Sequence, residues 1–136
     1  SSPITLGRYA MTDEERQAAG LEMRRKVLGD AHVNAARTNR DEFSSEIQDY
    51  ILRQVWGSIW TRPGLDLKTR SCMVLSVMMA LGRWDEFRLH VKAGFNNGLT
   101  KDDIKEVILQ NAAYCGAPAG NHAMNEAQAV FSRENL

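Results

Sequence analysis

From Thr12 to Arg133 the apolar residues recur every three or four positions, and nowhere do they alternate over the length of a strand. That period admits helices and little else. Phe43, Ile47, Tyr50, Ile51 and Val55 trace one helical face, and Ile104, Val107, Ile108, Asn111 and Ala112 trace another. The starts are marked as well: Thr12 stands three residues before Glu15 and Thr100 three before Asp103, the spacing of a capping box, and Asp66 can cap a helix of its own. Gly29, Gly57, Gly82, Gly98 and Gly116 supply the stops, and Pro63-Gly64 adds two strong breakers. The signals predict six helices, at about 12–28, 40–56, 67–81, 85–96, 100–115 and 119–132. The third, with Val74, Leu75, Val77, Met78, Met79, Ala80 and Leu81, is apolar nearly all round, as suits a helix central to a bundle or buried between subunits. The expectation is one all-α, six-helix domain over 12–136, preceded at 1–11 by a flexible arm or a remnant of expression.

Composition narrows what such a domain does. At 136 residues the chain can bury a genuine core. Lys plus Arg equals Asp plus Glu, 17 each, so the basic excess of a nucleic-acid binder is missing. The run from Met73 to Leu81 falls far short of the ~20 apolar residues that cross a bilayer. The first ten residues lack the basic start and apolar centre of a signal peptide, and the cytoplasm is the expected compartment. Cys72 and Cys115 belong to no C-x-x-C pair and read as reduced core residues, not zinc ligands. A Gly-rich phosphate loop, HExxH, a dinucleotide fingerprint and a nucleophile elbow are all absent from the sequence.

Three stretches are unusual for plain structural helices. The first is WGSIWTRPG at 56–64, which places Trp56, Trp60 and Arg62 in a turn; Arg suits a carboxylate, while the tryptophans serve equally to pin the turn to the core. The second holds Arg83, Glu86 and His90 at i, i+3 and i+7, one face if the helix is continuous past Gly82, and otherwise a solvated face with a stray histidine. The third is His32, read as lying in a loop after the first helix, where a capping role competes with a catalytic one. His122, on the last helix, has the weaker claim. The residues alone amount to a helical domain with Arg, Glu and His able to bind an anion and move a proton.

Several segments resemble the carboxymuconolactone decarboxylase family: RRKVLGDAHV at 24–33, WGSIWTRPGL at 56–65, LHVKAGFNNGLT at 89–100, DIKEVI at 103–108 and YCGAPA at 114–119. The first two point to its decarboxylase branch. The wider family also holds alkylhydroperoxidase D-like thiol enzymes, whose frame His90, Ala93, Gly98 and Thr100 match. The cysteines of that frame would fall on Arg83 and Glu86, so dithiol peroxide chemistry is not expected.

The resemblance implies a helical bundle of the alkylhydroperoxidase D-like type, forming a homo-oligomer (trimer or hexamer). It also implies a small lactone dicarboxylate as substrate, with no cofactor and no metal. In the branch's reaction, carried out in protocatechuate catabolism, a butenolide bearing an acetate arm loses its ring carboxylate as CO2. The electron pair passes to the lactone carbonyl, and a proton then adds beside that carbonyl. Such chemistry calls for a grip on the acetate arm, for which Arg62 comes first and Arg70 and Arg83 follow. Trp60 would wall the departing carboxylate, and His90 would donate the proton or bind the lactone oxygen, with His32 sharing either duty. Glu86 would orient the imidazole or repel the leaving group.

Overall fold

In a computed structural model, residues 11–136 are described, and among them every regular element is helical. The arm expected at 1–11 lies, apart from Met11, outside the described residues. The chain divides into two compact units, one ending at Leu65 and the other spanning Asp66–Leu136.

The amino-terminal unit opens with α1 (Asp13–Leu28). The Thr12 hydroxyl accepts from the Glu15 amide at 3.1 Å while the Glu15 carboxylate accepts from the Thr12 amide at 3.2 Å, so the expected capping box is present. Gly29, at φ 90°, closes α1 and immediately opens α2 (Asp30–Asn39). That helix replaces the loop expected around His32 and brings the α-helices among the described residues to seven. α3 (Ser45–Ile51) then runs without a break into a π-helical segment, Leu52–Trp60. The second helix thus begins later than its apolar period suggested, because Asp41 and Ser44 bond to each other's amides at 2.9 and 3.0 Å and form a turn first.

Val27, Leu28, Val33, Leu52, Trp56 and Trp60 are the buried apolar side chains of this unit. The expected face of Phe43, Ile47, Tyr50 and Val55 is not among them: Phe43 is 97% exposed and the other three are exposed as well. The core is reached instead through two glycines. A Cβ on Gly20 of α1 would stand 2.0 Å from the Leu52 carbonyl oxygen, and one on Gly57 would stand 2.2 Å from the Arg16 carbonyl oxygen. Only backbone without side chains lets α1 and the π-helical segment approach so closely.

The carboxy-terminal unit contains α4 (Leu67–Leu81), α5 (Trp84–Asn96), α6 (Lys101–Cys115) and α7 (Ala117–Arg133). Asp66 caps α4 through the Thr69 amide at 2.7 Å, and Thr100 with Asp103 forms a second capping box. Gly82, Gly98 and Gly116 sit at φ 68°, 93° and 99°, the left-handed values that end helices. Leu75, Met79, Phe87, Val91, Leu99, Ile104, Ile108, Ala123, Ala127 and Val130 form one core. Each large side chain there contributes roughly 1.5–3 kcal/mol through burial. α4 buries Ser71, Leu75 and Met79 and packs Cys72 and Met78 against the core, leaving Met73, Val77 and Leu81 exposed along one stripe. Cys72 packs half-buried against the core, its thiol pushed up by burial, whereas Cys115 is exposed and not the core residue expected.

Candidate functional site

The second unit holds four of the residues singled out from the sequence. α5 carries Glu86 and His90 one turn apart, on one face as expected. His90 is half-buried with Nδ1 shut off from solvent, and Glu86 is exposed. Arg83 does not join that face as a helical residue. Gly82 ends α4 in the left-handed conformation, and Arg83, at φ −88° and ψ 76°, precedes the first turn of α5. Arg70 sits half-buried in the first turn of α4. Next to it, the fully buried Ser71 accepts a 2.8 Å hydrogen bond from the Asn97 side-chain amide, tying the start of α4 to the end of α5. A second tie joins Asn111 of α6 to Ser76 of α4, also at 2.8 Å.

His122 of α7 has a structural occupation. Its ring lies flat on Trp84, with centroids 4.1 Å apart and planes 9° from parallel, and its Nε2 is 3.1 Å from Glu126. Arg88 of α5 bonds the other oxygen of Glu126 and also Asp85. The Arg88 hydrogen bond holds the Glu126 carboxyl below its usual range, while Glu126 raises the guanidinium. The group clasps α5 to α7.

In the first unit, Trp60 is not in a turn. It ends the π-helical segment, buried, and stacks on Trp56 with ring centroids 5.0 Å apart and planes at 23°. The wider turn closes bonds from i to i+5, a register that often marks functional positions. Gly57 is further held by Thr61, whose hydroxyl donates to the Gly57 carbonyl at 2.6 Å. Arg62 follows half-buried, its amide bonded to the Ile59 carbonyl at 3.0 Å. His32 is exposed in the first turn of α2.

This unit also gathers arginines that no local spacing announces. Arg24 of α1, with Arg37 and Arg40 at and just beyond the end of α2, lines one small cavity together with Ala36, Gln48 and Leu52. Arg40 is paired with Asp49 at 2.9 Å. Burial, and after it the charge of Arg37, lowers the pKa of Arg24 from its ordinary value. Among the described residues, no group of three or more His, Cys, Asp or Glu side chains is placed to hold a metal ion.

The imidazole and the carboxylate that α5 carries one turn apart are groups of the kind that move protons. The sequence is more specific: residues 45–129 match the carboxymuconolactone decarboxylase family, and the chain belongs to that family. It is 50% identical over 121 residues to a 4-carboxymuconolactone decarboxylase of Acinetobacter baylyi, covering 89% of this chain and 90% of that one. A nitrosuccinic acid decarboxylase of Metarhizium robertsii is 39% identical over 105 residues, covering 77% of this chain and 73% of the relative. A 4-carboxymuconolactone decarboxylase sequence of Pseudomonas putida is 40% identical over 47 residues, which cover 35% of this chain and 98% of the relative.

Proposed function

We propose that this protein is a carboxy-lyase that converts 4-carboxymuconolactone to 3-oxoadipate enol-lactone without a cofactor, in the cytoplasmic breakdown of protocatechuate. The 50% identity to the Acinetobacter decarboxylase, over nearly the full length of both chains, carries this reading. The chemistry agrees with it. The bond between ring carbon and carboxylate breaks, CO2 leaves, and the electron pair moves through the ring double bond onto the lactone carbonyl oxygen. The carbon beside that carbonyl then takes a proton. The substrate supplies its own electron sink, so the protein needs only to bind the dianion, stabilise the developing oxyanion and deliver one proton. A nitro group beside a leaving carboxylate is an equivalent sink, which suits a family that also contains a decarboxylase named for a nitro acid.

His90 is the proton donor in this proposal. A half-buried imidazole one turn from a carboxylate is suited to the task, and Glu86 would orient the ring or repel the departing carboxylate. Arg62 would grip the acetate arm, supported by Arg70 and Arg83. Trp60 would offer an apolar wall to the departing carboxylate, where a tight ionic clamp would oppose its loss. His32 would share the proton-donor duty. The protein would work as a homo-oligomer, trimer or hexamer, for which the exposed stripe of Met73, Val77 and Leu81 is suitable material.

The test is direct. Protein dialysed against chelator, without reductant, is mixed with freshly generated 4-carboxymuconolactone while CO2 and enol-lactone are followed. Turnover is expected. Its absence in an intact oligomer would instead favour a related acid as substrate, or a ligand-binding role for the same scaffold.

A further inference from the structure

We propose that the groove between α6 and α7 is a binding site for a small aromatic acid, one ring bearing one carboxylate. The groove encloses about 220 Å³. Ile104 and Ile108 of α6 and Ala127 of α7, all buried members of the core, make its floor, and Met124 and Phe131 of α7 line it further. The Phe131 ring is held edge-on by Phe95, with centroids 5.9 Å apart and planes at 86°. An apolar cavity of ~150 Å³ is enough for a benzene ring. This groove has room for such a ring and one polar group, and is small for anything larger. None of these residues has a part in the decarboxylation proposed above.

The charge beside the floor selects an acid. Of the four lysines in this unit, Lys68, Lys92 and Lys105 reach Asp103, Glu134 and Asp102 at 3.5, 3.2 and 3.7 Å. Lys101, which lines the groove, has no carboxylate partner among the described residues; its ammonium lies 5.1 Å from the centre of the Phe131 ring. It is also the first residue of α6, so its charge adds to the positive end of that helix. Asp102 shares the lining, but its carboxylate already faces Lys105. One cation is therefore left over beside an apolar floor. A ring set against Met124 and Phe131 gains sulfur and aromatic contacts, while its carboxylate takes up the Lys101 ammonium. A neutral ring leaves that charge unanswered, and an acid without a ring leaves the floor bare.

The probe is benzoate, titrated into the whole protein at constant ionic strength and followed through the assigned δ1-methyl NMR signals of the isoleucines. Ile104 and Ile108 should shift together and saturate, with a dissociation constant on the order of 1 mM. Ile47, Ile51 and Ile59, all in the first unit, should stay in place. K101M keeps the apolar stem and removes the charge; it should weaken benzoate about two- to fivefold and leave benzyl alcohol unchanged. Q128W, a change at an exposed position of the lining, should fill the groove and weaken both ligands about tenfold or more. H90N should leave benzoate binding as in the parent. The proposal is overturned if Ile104 and Ile108 do not shift, or if K101M and Q128W bind benzoate like the parent. It also falls if binding is lost in H90N and kept in Q128W, which would place the ring elsewhere. Acetate moving the two methyls as strongly as benzoate would overturn it as well, since a lysine alone would then account for the binding.

Discussion

Gly20→Ala sets two physical effects against each other, and the sign of the result tells which prevails. Gly20 lies inside α1, where alanine is ordinarily better by about 1 kcal/mol. Here the added methyl would meet the Leu52 carbonyl oxygen at 2.0 Å and the Gly57 nitrogen at 2.9 Å. The first distance is about 1.4 Å short of an ordinary 3.4 Å contact, and the obstructing atoms are backbone. No rotamer change can relieve it, so α1 and the π-helical segment must move apart. Overpacking typically costs about 1–3 kcal/mol, and a rigid clash belongs at the upper end. After the gain in propensity, a net loss of about 2 kcal/mol remains, a fall in melting temperature of roughly 5–10 °C for a chain this size. The assay is thermal unfolding by circular dichroism at fixed protein concentration, because self-association would otherwise shift the midpoint. Gly64→Ala is the control: its new methyl would find nothing within 4 Å, and no loss is expected. A Gly20→Ala protein as stable as its parent would refute the close crossing.

Ser71→Ala should lower the urea midpoint by about 1–3 kcal/mol of stability, because Asn97 loses its partner while its own carbonyl oxygen is already buried without a hydrogen bond. His90→Asn should reduce kcat by about 10²–10⁴ with the far-ultraviolet spectrum unchanged, and a near-normal rate would remove His90 from the reaction. Cys115→Ser, altering an exposed thiol outside any C-x-x-C, should turn over at the parental rate without reductant. Acid should destabilise the fold from about pH 4 downward. Hydrogen bonds from Thr69 and from Thr100 hold the Asp66 and Asp103 carboxyls below their ordinary values, so their stabilisation is present above the unfolded pKa and is lost as pH falls through the folded one. The Asp66→Asn, Asp103→Asn double variant should show a shallower acid limb, and an unchanged slope would show that these caps do not set it.

The helix ends were legible because they depend on local chemistry. A threonine or aspartate three residues before its bonding partner, and a glycine that can adopt positive φ, act over one turn of chain. α2 escaped because Gly29 serves as both stop and start, and because Val33 is its one buried residue, too few to display a period. Phe43, Ile47 and Tyr50 do recur at helical spacing, but a period reports that a face is apolar and not what covers it. Of the site, the Glu86–His90 face could be read from an interval of four. The approach of Arg24 to Arg37 could not, since it depends on how α1 folds back against α2 at Gly29.

The π-helical segment has a consequence for the evolution of this chain. A helix is a screw, and closing bonds to i+5 amounts to carrying one residue more than the thread requires. Removing a single residue between Leu52 and Trp60 would let the thread close at the ordinary pitch with every backbone bond still made. It would also shift the side chains within the segment relative to α1. Trp56 and Trp60 would lose their stacking, and the Gly57 that meets Arg16 would point elsewhere. Length in this stretch is therefore under a stricter constraint than composition: substitutions change what the screw carries, whereas a one-residue deletion changes where it points.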